Sequence, residues 1–128
     1  MIDTSLIKDW DKAHFMAYIC LCVAASDNSI DDSELEETKN KVHEFLGEDI
    51  DYDRLMNEVM LELKNHSLQD KKDVINMKRN KFFTTKEERF RVIDTVEDVI
   101  VADLNIEQSE LEIYKILKNA FDIDDLIN

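Results

Sequence analysis

The chain of 128 residues carries a formal charge of −14, with 44% apolar and 36% charged residues, one glycine and no proline. Its length fits one domain with a sizeable core, and the scarcity of Gly and Pro disfavours sheet-rich architectures, whose turns depend on them. So large a negative charge argues against general nucleic-acid binding, because phosphates are repelled at long range.

These bounds predict an all-α, compact single domain over residues 1–128, a bundle of about six to seven amphipathic helices. The first helix is expected from near Thr4 or Ser5 to about Ser26, with Leu6, Trp10, Ala13, Ala17 and Leu21 at helical spacing. Within it, the run Phe15 to Ala25 has no charge. It is about half the ~20 residues a bilayer span needs, so it reads as a core helix, with no membrane insertion. Cys20 and Cys22 lie two apart, where helical side chains diverge, and read as buried free thiols of a reducing, cytoplasmic protein. The opening MIDTSLIKDWDK lacks the basic-then-apolar form of a secretory leader, in keeping with that expectation.

A second helix is predicted from about Ser33 to Leu46. Asp31 and Glu34 have capping-box spacing, and Gly47 is placed to end the helix. Leu35, Val42, Phe45 and Leu46 form its inward face. The third helix, roughly Tyr52 to Asn65, has Asp51 or Asp53 as cap and turns Leu55, Val59, Met60 and Leu63 inward. A shorter fourth, about Leu68 to Arg79, buries Leu68, Val74, Ile75 and Met77 in this reading. Asn80 to Phe83 reads as a connection pinned to the core by Phe82 and Phe83. Thr84-Thr85-Lys86-Glu87-Glu88 then holds two overlapping capping-box registers, and opens a long helix to about Ala102. Its apolar side is Phe90, Ile93, Val96, Val99 and Ile100. The sixth helix runs from about Glu107 to Ala120, with Leu111, Tyr114, Leu117 and Phe121 on one face and Ile113 beside them.

Two stretches repeat at a constant offset. Asp27 matches Asp103, Ile30 matches Ile106, and Ser33-Glu34-Leu35-Glu36 matches Ser109-Glu110-Leu111-Glu112 (103 − 27 = 76). The same offset carries Lys39 onto Lys115 and Phe45 onto Phe121. Two related helix–acidic turn–helix units follow, expected to be packed about a pseudo-twofold axis.

The acidic turns are the first candidate site. Asp27-Asn28-Ser29-Ile30 with Glu34, and Asp103-Leu104-Asn105-Ile106 with Glu110, have the spacing of the second half of an EF-hand calcium loop. At first-half positions stand Val23, Ala25, Val99 and Val101, which offer no side-chain oxygen, so a complete EF-hand is excluded. Two readings remain. Asp27 and Asp103 satisfy turn donors while Glu34 and Glu110 cap helices, or the four carboxylates together form a weak site for calcium or magnesium.

His14, His43 and His66 show no metal-ligand spacing and read as surface or partly buried side chains. The sequence has neither a nucleophile elbow nor a phosphate-binding glycine loop, so no catalytic residue is assigned and the chain is expected to be non-enzymatic. Lys71, Lys72, Lys78, Arg79, Lys81, Lys86, Arg89 and Arg91 are half of the 16 basic residues, in a span whose acids are Asp73, Glu87 and Glu88. That span reads as a docking face for a protein partner, with Lys78, Arg79 and Lys81 as contacts, or as a solvated face relieving self-repulsion.

The units Ala24-Ala25-Ser26-Asp27-Asn28-Ser29-Ile30 with Glu34, and Val101-Ala102-Asp103-Leu104-Asn105-Ile106 with Glu110, resemble those of TerB-like domains. That family is named for bacterial tellurite-resistance proteins and also occurs in DnaJ-like co-chaperones. The likeness covers about Phe15 to Phe121. It implies a compact helical bundle that serves as a binding module in bacterial stress response, with metal binding through the acidic residues as the alternative. Asn28 stands where the family has glycine, and asparagine tolerates the left-handed region. Leu104 tolerates it less well, which weakens any cation role for the second unit.

Overall fold

The uncharged run that begins at Phe15 becomes the axis of the structure. A computed structural model describes residues 10–24, 32–47, 50–79, 81–102 and 108–121, with the side chains of 101–102 and 108–110 left outside the description. The described residues form six α-helices and no strand: α1 (Lys12–Ala24), α2 (Asp32–Leu46), α3 (Tyr52–Leu63), α4 (Leu68–Lys78), α5 (Lys86–Ala102) and α6 (Gln108–Ala120). Every residue from Phe15 to Val23 is buried. A helix apolar on all sides is stable only when enclosed, and α1 packs against each of the other five helices. None of the helices is long and apolar enough to cross a membrane among the described residues.

Local caps set the helix ends. The helix carrying the apolar run begins at Lys12 rather than near Thr4, because the Asp11 carboxylate accepts the His14 N–H at 3.0 Å and its carbonyl accepts the Phe15 N–H at 3.0 Å. Gly47 closes α2 as expected, at φ +63° with its N–H donating to the His43 carbonyl. Asp51, not Asp53, caps α3 by accepting the Arg54 N–H at 3.1 Å. Ser67 and Asp70 form a reciprocal capping box at the start of α4. Of the two registers before α5, the structure uses Thr85, whose hydroxyl accepts the Glu88 N–H at 3.2 Å.

Two faces differ from the sequence pattern. On α4, Leu68 and Met77 are exposed, while Lys71 and Lys78 are buried beside Val74 and Ile75. Long lysine stems cover apolar surface well, and the short α4 presents the side that carries them. On α6, Leu111 is exposed and Ile113 and Leu117 are buried.

The connection before α5 is held by Phe83, which adopts φ +57°. For a non-glycine residue that left-handed conformation costs roughly 1–2 kcal/mol. The ring offsets this cost: it is buried, stacks on Phe15 at 5.6 Å, and receives the edges of Phe45 and Phe121 at 5.6 and 6.5 Å. Phe45 and Phe121 are themselves 76 residues apart in the repeat (121 − 45 = 76), as are the first residues of α2 and α6 (108 − 32 = 76). Arg91 donates to the Phe45 carbonyl at 3.2 Å and lies over its ring. Arg89 donates to the Phe121 carbonyl at 3.4 Å and lies over that ring. Two C-terminal helix ends are thus closed by neighbouring arginines of α5, where carbonyls would otherwise lack donors.

Candidate functional site

Of the residues singled out in the acidic turns, Asp27 and Asp103 lie outside the described residues, as does the side chain of Glu110. Glu34 is half-buried in the first turn of α2, where its backbone carbonyl accepts the Thr38 hydroxyl at 2.8 Å. Among the described residues, no group of three or more His, Cys, Asp or Glu side chains converges to hold a metal ion.

Half of the basic span is drawn into the fold: Lys71 and Lys78 are buried and Arg79 and Arg89 half-buried, while Lys72, Lys81, Lys86 and Arg91 are exposed. Lys78 is 4% exposed, and Arg79 is half-buried with its guanidinium donating to the Ala120 carbonyl at the end of α6. Lys81 alone of those three contacts is exposed, its ammonium 5.4 Å from the centre of the Phe82 ring. Arg89 and Arg91, in the same span, are engaged at helix ends.

A buried polar chain runs beside α1. The Tyr18 hydroxyl and His66 Nδ1 are 2.7 Å apart, and the Cys22 thiol hydrogen-bonds to the same phenol one helical turn on. His66 is only 3% exposed, a correction to its reading as a surface or partly buried side chain. Its Nε2 lies 3.9 Å from Glu62, which favours the tautomer protonated there and leaves Nδ1 to accept from Tyr18. Burial pushes the Cys20 and Cys22 thiols up to about 12, so both remain protonated and poor nucleophiles at neutral pH.

The same burial holds His66 below the usual imidazole range. Lys71 adds to this, while Asp70 and Glu62 oppose it. A depressed folded-state pKa stabilises the fold fully above the unfolded value of about 6.5, and that contribution fades as pH falls below it. Urea midpoints are therefore expected to drop between pH 7 and 5, and the drop should be shallower in His66→Gln. Parallel wild-type and variant curves would show that His66 titrates alike in both states.

An open cleft of about 440 Å³ lies where the starts of α1 and α3 meet the end of α2. Its floor is apolar, formed by Ala13, Leu46, Ile50 and Leu55, and its rim carries Asp11, His14, Asp51 and Glu58 with Lys12 and Arg54. The His14 ring stacks on Trp10 and spans two carboxylates, Nδ1 at 2.9 Å from Asp11 and Nε2 at 2.9 Å from Glu58. Carboxylates only accept, so the ring donates to both only when both nitrogens carry protons. Arg54 Nε donates to the other Glu58 oxygen at 2.9 Å. Burial raises the Asp11 carboxyl, but hydrogen bonds from His14 outweigh it and hold the group below its ordinary value. Glu58 is held down by hydrogen bonds from His14 and Arg54. Both rim carboxylates are therefore ionised at neutral pH.

Sequence reading missed this cleft. The Asp11-to-His14 spacing is a visible cap signal, but Glu58 is 44 residues from His14 and Leu46 belongs to a third helix. Comparison with protein-family models, curated proteins and solved structures finds no match to the chain.

Proposed function

We propose that this chain is a non-enzymatic binding module that docks a partner protein in the cleft between the starts of α1 and α3 and the end of α2. The observation that carries the reading is the apolar floor of Ala13, Leu46, Ile50 and Leu55 beneath an ionised rim, the arrangement by which clefts seat an anchoring side chain and fix its orientation. One titratable group that the fold encloses supports the non-enzymatic part. Cys22 stays protonated, so it is not poised for nucleophilic attack. The TerB-like resemblance agrees with a binding role and suggests bacterial stress response as its setting.

The test is capture from a bacterial lysate by the immobilised chain. Ile50→Arg places a charge on the floor and is expected to abolish capture, whereas Lys81→Glu leaves it unchanged. Capture that survives Ile50→Arg and fails with Lys81→Glu would move the docking face to the basic span.

A further inference from the structure

Resting on the docking reading above, we infer that the segment received by this cleft is cationic, with an apolar side chain flanked by arginine or lysine. The charge of the rim points to such an occupant. Three carboxylates, Asp11, Asp51 and Glu58, line the cleft against two cations, and of these Lys12 is paired with Glu88 and Arg54 with Glu58, whose other oxygen meets His14. The whole chain carries a charge of −14, which favours the approach of a cationic segment.

Anionic ligands meet the opposite situation. A helix start attracts anions through its free N–H groups, but the starts of α1 and α3 are already answered by Asp11 and Asp51. Phosphate, nucleic acid and an acidic membrane surface are thereby disfavoured at this cleft.

The chemistry already present shows what these carboxylates hold. The planar His14 ring sits between Asp11 and Glu58 with one nitrogen 2.9 Å from each, and Arg54 Nε donates to Glu58 at 2.9 Å. Arginine from a partner offers the same planar, multiple N–H donation. A bare metal ion would not use the apolar floor, whereas a peptide with an aliphatic anchor would use both floor and rim.

The probe is a fluorescein-labelled synthetic peptide with leucine between pairs of arginines, followed by fluorescence anisotropy at fixed ionic strength. Saturable binding is expected, weakened about tenfold or more, equivalent to roughly 1.4 kcal/mol, by Glu58→Lys and by Ile50→Arg. Each variant is to melt like wild type, so that loss of binding is not loss of fold. A peptide with glutamate for arginine should not bind, and one with serine for leucine should bind more weakly. Undiminished binding to both variants, or equal binding of the serine peptide, would overturn the inference, because diffuse charge would then suffice. If the arginine peptide fails while lysate capture still depends on Ile50, the cationic assignment falls and the docking reading stands. If both fail, both fall.

Discussion

Phe83→Ala is expected to cost about 3–5 kcal/mol of stability, the range for removing a buried aromatic side chain. The ring is 1% exposed and is the meeting point of Phe15, Phe45 and Phe121, so its loss leaves a cavity bordered by α1, α2 and the end of α6. Its backbone makes a sharper test available. At φ +57°, alanine keeps the left-handed penalty without the ring that offsets it, whereas glycine has no such penalty. Phe83→Gly should therefore be more stable than Phe83→Ala by roughly 1 kcal/mol, although glycine is ordinarily the more damaging replacement in ordered structure. Chemical denaturation of the two variants beside wild type decides it. An alanine variant that unfolds at the wild-type midpoint would show that the ring does not anchor this connection.

Lys78→Glu should be nearly as damaging, at about 3–5 kcal/mol, because it leaves an uncompensated charge of the wrong sign in a buried site. Lys78 is 4% exposed on the inward side of α4 beside Val74 and Ile75. Lys78→Met keeps the unbranched stem and is expected to be the milder change. Lys81→Glu, three residues on and exposed, should stay within about 0.5 kcal/mol of wild type. Urea unfolding of the three variants separates the cases. Equal tolerance of glutamate at 78 and 81 would mean that the Lys78 ammonium reaches solvent. Arg79, between them, is also engaged, at the Ala120 carbonyl.

The surface of a strongly acidic chain normally reads as one solvated field. Here the basic minority is placed with purpose. Arg79, Arg89 and Arg91 donate to carbonyls at Ala120, Phe121 and Phe45, near the ends of α6 and α2. The same residues, seen only as a charge run, suggested an interaction face. Their long guanidinium side chains reach across the bundle, over separations of 32 to 46 residues, and a linear charge count carries no trace of that. The cleft shows the reverse case. Asp51 read as a helix cap and Asp11 fell inside the expected first helix, yet folding sets both as caps on one rim above a shared apolar floor.

What the amino-acid sequence determined by itself is what acts over about four residues. The uncharged Phe15–Val23 run had to be enclosed, Gly47 had the backbone freedom to end α2, and Thr85 had its glutamate one turn away to open α5. Tertiary structure decided where distant segments meet: His14 against Glu58 across 44 residues, Tyr18 against His66 across 48, and the buried side of α4 that takes in Lys71 and Lys78 while leaving Leu68 and Met77 outside. The reason is that caps and helical periodicity are set by backbone donors and side chains one turn apart. Burial of a given face depends on the neighbours that cover it, and for α4 the aliphatic stems of two lysines filled that contact in place of leucine and methionine.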